Sequence, residues 1–540
     1  MSRRRLGVLS GTAVAGSALL LSVGPAVASG SAGSKTVAVA TAQCSPAPAA
    51  AGIGKEGSGV ALGGMAGIDE SSSPHSTQEL RNQLARTPAG GTLTVQPGIY
   101  KGSLIIDRPV TIVGIGHPII RGEGIGTVLT IRAAGTTVRD LMIEGSGPGP
   151  VDNPAGVRVQ ADRVVLKNLH LRDIYTGVWV EGVKDAQVIG NVIEGRTSVA
   201  VSGQSPTPMK EDMAGMDMAG MVMSAGKGGA SAARGDGVSL FNAIRPVVTG
   251  NAISDVRDGI YLEYGGNTRI DCNIVLRGRY AIHSMYQKSV SVARNHFAGN
   301  ESGPVMMYGG PVTLEGNVIR DEQSPATGFG ALFLDVGGVT LLRNVMVSNR
   351  VGLQIEGPLD DPRPTKVELN TIALNQIGVG LYPTANASLS QNSLVENTVQ
   401  VLGLGPQGSG GKSPWSSKGV GNYWSNYRGY ERPGSGVGAI PHVEGAAAGR
   451  LLAGDPNLLA LASSPAFTLL RAVEQRTAGQ HPVSVDRFPI IDPRSPSLPA
   501  TTVHTSLRTG LVGATSLAFC SLTLLRSTRR RPIHRRRTRS

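Results

Sequence analysis

Asn251, Asn273, Asn295 and Asn317 stand 22 residues apart, each after a stretch rich in Val and Ile. A fixed short period means stacked units, none of which buries its apolar face alone, so the chain folds as a solenoid and not as a globule. The same unit precedes these asparagines as TTVRDLMIEG (136–145), RVVLKNLHLR (163–172) and AQVIGNVIEG (186–195), and it continues after them as VTLLRNVMV, KVELNTIAL and ASLSQNSLV. Within each unit apolar residues alternate, which argues for half-buried strands. Asn and Gly tolerate the left-handed backbone of tight corners. At about 3.3 Å per residue, a 22-residue coil has a perimeter of roughly 70 Å, enough for three short strands around a filled core. The expected fold is therefore all-β, a right-handed single-stranded parallel β-helix with short helical caps. The Leu-x-x-Leu-x-Leu spacing of a leucine-rich repeat is not sustained. With 74 Gly and only 4% aromatic residues, the composition suits a narrow coil filled with Val, Ile and Leu.

The net charge of +13 would suggest a nucleic-acid partner if it were spread over the coils. It lies instead at the two ends. Arg3–Arg5 carry three charges and the arginines between 526 and 539 carry eight, so the body is close to neutral and no nucleic acid is expected. Residues 1–28 combine basic, apolar and small-residue parts in the order of a secretory signal. Residues 509–525 are uncharged and precede the Arg-rich tail at 526–540, which suits a single membrane span with a cytoplasmic basic end. The chain is thus expected on the extracytoplasmic face of the membrane. A Gly/Ala/Ser-rich linker occupies 29–74, a cap helix 75–89, coils 90–405, and a C-terminal cap and linker 406–502. Cys44, Cys272 and Cys520 form no CxxC and read as incidental.

One interruption is out of proportion. Asn191 and Asn251 are 60 residues apart, and the excess at 202–236 carries Met209, Met213, Met216, Met218, Met221 and Met223 among Gly, Ala and Ser. A methionine stripe usually means core packing, but this segment offers no regular element to organise one. Thioether sulfur is a soft, uncharged ligand that prefers Cu(I) to Mg²⁺, Ca²⁺ or Zn²⁺.

The period also serves as a ruler, because residues 22 apart stack on one wall. In Gly259-Ile260-Tyr261-Leu262-Glu263 the aliphatic Ile260 and Leu262 face inward, so Tyr261 and Glu263 face out. Stepping by 22 then brings Glu263, His283, Met285 and Met307 to one exposed patch. An imidazole, two thioethers and a carboxylate could accept and release Cu(I). Tyr264, Tyr286 and Tyr308 fall in a second column, read as a structural aromatic ladder.

Six segments taken together resemble one known family. They are GTLTVQPGIYKGSLIIDRPVTIVGIG (91–116), RGDGVSLFN (234–242), VRDGIYLEY (256–264), RYAIHSMY (279–286), VMMYGG (305–310) and GNYWSNYRGY (421–430). Over about 75–495 the chain resembles the NosD family, exported pectin-lyase-like β-helix proteins associated with copper delivery to nitrous oxide reductase. The resemblance implies an ABC transporter membrane complex, a copper chaperone and a copper enzyme as partners. Where the family commonly continues with an acidic Asp/Gly loop, this chain has Glu431-Arg432-Pro433-Gly434-Ser435-Gly436, so no ion is assigned there.

Two other classes use the same scaffold: a polysaccharide lyase, hydrolase or epimerase, and a non-catalytic cell-surface module binding carbohydrate or protein. The enzyme would need clustered acids. Asp236 and Asp258 do stack, with Arg257, Arg277 and Arg279 nearby, but Tyr280 takes the third place and the Asp-Gly pairs are assigned to coil corners.

Overall fold

The computed structural model describes Cys44, residues 75–149, 153–196, 234–358, 361, 363–405 and 413–445, isolated positions between 451 and 473, and residues 482–497. The expected signal at 1–28, the methionines at 209–223, the span at 509–525 and the tail at 526–540 lie outside the described residues. No helix among the described residues is long and apolar enough to cross a membrane.

Each coil gives one strand to each of three parallel sheets, which hold 14, 12 and 12 strands among the described residues. The chain is a parallel β-helix. Alternation decides which side chains enter: Ile260, Leu262, Ile282 and Met306 are at most 1% exposed and join one continuous core with Val248, Ile270 and Val275. At the N-terminal end the helix Thr77–Arg86 starts at Ser76, whose hydroxyl accepts from the Gln78 N–H at 3.1 Å, and its Leu80 and Leu84 enter that core. Trp415 and Trp424 join it from the C-terminal segment.

The corner asparagines are fully interior. The backbone N–H and the side-chain Nδ2 of Asn251 both donate to Oδ1 of Asn273, at 3.0 and 2.9 Å, and Nδ2 also reaches the Val188 carbonyl. The pattern repeats through Asn295, Asn317, Asn344, Asn370 and Asn392 to Asn422, so a side chain supplies the acceptor that the corner backbone lacks. The ladder ends on Asp486, which accepts the Asn422 N–H and the Trp424 indole N–H. A second ladder runs one corner away through Asn300, Glu322, Asn349, Asn375 and Asn397.

Cysteine pairing corrects the sequence reading. Cys44 and Cys272, 228 residues apart, form a disulfide. Cys272 stands at a left-handed corner of a coil, where its sulfur meets that of Cys44. No local spacing announces a pair this distant. Such a bond belongs to an oxidising compartment. Peptide mapping without reductant should recover a Cys44–Cys272 cross-linked peptide, and Cys44→Ser should leave Cys272 open to alkylation. Recovery of Cys44 and Cys272 as free thiols from wild type kept away from reductant would contradict the pairing.

Candidate functional site

The wall that carries the site is built from consecutive strands of one sheet: Thr176–Glu181, Val238–Phe241, Asp258–Glu263, Tyr280–Met285 and Ser302–Gly309. Their register aligns Trp179, Ser239, Tyr261, His283 and Val305 in one column, and Phe241, Glu263, Met285 and Met307 in the next. Adjacent coils are about 4.8 Å apart, so Met285 and Met307 are nearest neighbours across the strands. His283 is two residues before Met285 on the same face. Tyr261, Glu263, His283, Met285 and Met307 are all partly exposed, while the residues between them are buried.

His283 is held tightly. Its Nδ1 lies 3.1 Å from Oδ2 of Asp258, a carboxylate with no exposure, which also accepts two bonds from the Arg279 guanidinium at 2.9 and 2.6 Å. The Tyr261 and Tyr280 rings stand edge-on to the imidazole, each 5.2 Å away, and Arg279 covers the face of Tyr280. One coil earlier, Arg257 makes the same two-pronged contact with buried Asp236, at 3.0 and 3.1 Å. Burial alone would raise the pKa of Asp258, but the His283 and Arg279 bonds hold it well below the usual carboxylate range. Asp236 has no histidine donor. Burial pushes it up to about 6, against the attraction of Arg257 and with the help of the Asp258 charge.

The Asp258-Gly259 pair does not stand at a corner, where the sequence reading had the Asp-Gly pairs. Asp258 opens a strand, and Gly259 follows it because a Cβ there would lie 2.4 Å from Val275 and 2.6 Å from the Ala281 carbonyl. Glycine here provides close packing, and the carboxylate provides the anchor. Sequence reasoning missed Asp258 and Arg279 as partners of His283. The signal was present, since Asp258 lies one 22-residue coil plus three positions before His283.

Glu263 accepts a bond from the Tyr261 hydroxyl at 2.8 Å, which leaves one carboxylate oxygen uncommitted in that contact. The Tyr261 phenol is pushed upward by burial and by this carboxylate. Met307 borders an apolar patch on the outer face, where Val305, Leu332, Val351 and Leu402 pack with Phe467, a residue from the run expected in the C-terminal cap. Tyr264, Tyr286 and Tyr308 occupy the corner just after Glu263, Met285 and Met307, with ring centroids 5.1 and 5.3 Å apart. The Met-rich insertion enters after Arg196 and returns at Arg234, two residues before Asp236 on this same wall.

Among the described residues no group of three or more His, Cys, Asp or Glu converges as a metal site. The donor set on the wall is one imidazole and two thioethers, with the Glu263 carboxylate beside them. Neutral nitrogen and soft sulfur fit Cu(I) and fit hard divalent ions poorly.

With this geometry described, the chain can be compared with known proteins. Residues 219–429 match the family described as "Periplasmic copper-binding protein (NosD)". "Probable ABC transporter binding protein NosD" of Pseudomonas aeruginosa is 26% identical over 443 residues, which span 76% of this chain and 91% of that protein. The protein of the same name from Stutzerimonas stutzeri is 27% identical over 406 residues, spanning 70% and 81%. Among solved structures, the catalytic domain of a GH87 α-1,3-glucanase in complex with nigerose aligns with a TM-score of 0.45 at 14% identity, over 66% of this chain and 68% of that one. The A-module of the Azotobacter vinelandii mannuronan C-5 epimerase AlgE6 aligns with a TM-score of 0.44 at 15% identity, over 63% and 92%.

Proposed function

The chain belongs to the NosD family, and from that premise we propose that it is an exported accessory protein that binds Cu(I) and delivers it to a copper enzyme such as nitrous oxide reductase. Copper is its cargo. The observation that carries this reading is the register, in which His283 shares a strand face with Met285 and Met285 pairs with Met307 on the next coil. A site of one imidazole and two thioethers uses no thiolate, and its neutral donors hold Cu(I) without the charge that would make release costly. In this reading Met209, Met213, Met216, Met218, Met221 and Met223 collect the ion, and the wall passes it on. The returning end of the insertion at Arg234, two coils from His283, supports that order. The relatives' name refers to an ABC transporter, and this chain is proposed to work beside such a complex at the membrane, anchored by residues 509–525 and supplied by a copper chaperone.

The test is a titration of the mature protein with Cu(I) against a competing cuprous chelator. His283→Ala and the double variant Met285→Ala/Met307→Ala should each weaken binding by at least about tenfold. Deleting 209–223 should lower the number of ions bound. Affinity and stoichiometry equal to wild type in all three would defeat the proposal. A histidine fixed by a buried carboxylate beside two tyrosines is also a workable acid–base pair. The same preparation should therefore be assayed on uronate polymers, where turnover that disappears in His283→Ala would favour the enzyme reading.

A further inference from the structure

We infer that Asp258, itself clamped by Arg279, is the positioning residue that makes His283 a one-sided ligand, presenting Nε2 outward as the only ring nitrogen with a free lone pair. The inference rests on the copper reading of the wall, and its metal-free arm can be tested without that reading.

An imidazole has two nitrogens, and in the neutral ring only one carries the proton. An unrestrained surface histidine exchanges tautomers and rotates, so a metal meets it in the wrong form part of the time. His283 has neither freedom. Nδ1 faces the Asp258 acceptor at 3.1 Å and the Arg279 Nη2 donor at 3.4 Å, and the shorter contact, with the carboxylate, assigns the hydrogen to this nitrogen. Nδ1–H therefore faces inward and Nε2 is left as the lone-pair nitrogen. The two tyrosine rings, edge-on at 5.2 Å, leave little room for the imidazole to turn.

Asp258 is itself kept from moving. Both of its oxygens accept from Arg279, and its side chain has no exposure. A buried carboxylate with a single partner would be costly, so Arg279, with Arg257 at 4.0 Å, makes the anchor tolerable while the histidine supplies a third hydrogen bond. The arrangement follows the general pattern in which a ligating histidine donates its other N–H to a carboxylate, a contact whose loss typically lowers metal affinity about 10–100-fold. The preceding coil sharpens the assignment. Asp236 and Arg257 repeat the carboxylate–guanidinium pair, but the position matching His283 there is Tyr261, one coil earlier in the same column, and its hydroxyl donates to Glu263. The pair alone is thus a repeated structural unit. Only on the coil of His283 does it hold an imidazole.

The test combines two measurements on the mature protein. In the first, long-range ¹⁵N NMR of the metal-free protein reports the His283 tautomer. Wild type should show Nδ1 protonated and Nε2 bare, and Asp258→Asn should show a mixture. In the second, Cu(I) competition should find Asp258→Asn about 10–100-fold weaker than wild type. If Asp258→Asn fails to fold, the wild-type tautomer and the variant Asp236→Asn carry the test, since Asp236→Asn should leave the His283 tautomer unchanged. A wild-type His283 protonated at Nε2 overturns the inference. So does a folded Asp258→Asn protein with wild-type tautomer and affinity while His283→Ala loses copper, a result that leaves the copper reading intact. Conversely, copper affinity unchanged in His283→Ala defeats the copper reading, while the tautomer result still decides whether Asp258 orients the ring.

Discussion

Replacing Glu322 by Gln will make the protein more stable in mild alkali and leave its stability near pH 5 almost unchanged. Glu322 holds a place in the second corner ladder that Asn300, Asn349, Asn375 and Asn397 otherwise fill. Its backbone N–H donates to Asn349 Oδ1 at 3.1 Å, and its Oε1 accepts from Asn300 Nδ2 at 3.1 Å, so half of the rung is intact. The asparagines also donate from Nδ2 to a carbonyl of a preceding coil, as Asn349 does to Ile319. An ionised carboxylate cannot do this. Glu322 Oε2 is buried without a partner, and burial pushes the carboxyl up to about 8 despite the Asn300 bonds.

The sign follows from that direction. The unfolded chain releases the Glu322 proton near its ordinary value of 4.5, and the folded chain holds it to about 8. Between those values the native state binds one proton more than the unfolded state, so stability falls as pH rises and levels off above 8. At about 1.4 kcal/mol per pKa unit the loss is a few kcal/mol. Urea midpoints of wild type and Glu322→Gln at pH 5 and pH 8.5 measure it. Parallel pH dependence of the two proteins would show that Glu322 is ionised at no cost.

The contrast between the two ladders explains what could be read beforehand. Asn251, Asn273, Asn295 and Asn317 repeat at one interval because no residue is inserted between their coils. That interval revealed the coil, the three sheets and the column order of Glu263, Met285 and Met307. Asn300, Asn349, Asn375 and Asn397 belong to coils of unequal length, and Glu322 interrupts them, so no constant spacing exposed that ladder. The site divides in the same way. His283 and its methionines follow from alternation and period, both of which are local. Asp258 was misread because Asp-Gly is a common turn pair, and only the depth of the strand start shows that the glycine is required by Val275 and Ala281. The Cys44–Cys272 bond and the packing of Phe467 on the outer face join residues far apart in the chain, and no periodic signal encodes such contacts.

The first ladder should be the least forgiving part of the molecule, and Asn273 is its test position. Asn273 Oδ1 receives two donors from Asn251, and its own Nδ2 donates to Asn295 Oδ1 at 3.0 Å and to the Val248 carbonyl at 2.9 Å. Asn273→Ala leaves the Asn251 N–H and one of the two Asn251 Nδ2 hydrogens without an acceptor, and the Val248 carbonyl without this donor, in a place water does not reach. At about 1–3 kcal/mol for each buried group left unpaired, the expected loss is roughly 3–5 kcal/mol. Asn273→Asp separates the two functions of the side chain, because it keeps the acceptor and removes the donor. Facing the Val248 carbonyl and the Asn295 oxygen, the new carboxylate is forced to keep a proton, as Glu322 does. The Asp variant should therefore approach wild-type stability near pH 4 and fall towards the Ala variant by pH 8, as read from urea midpoints. A pH-independent Asp variant would mean that water reaches the corner, and the closed hydrogen-bond ladder would no longer explain why the coils stack.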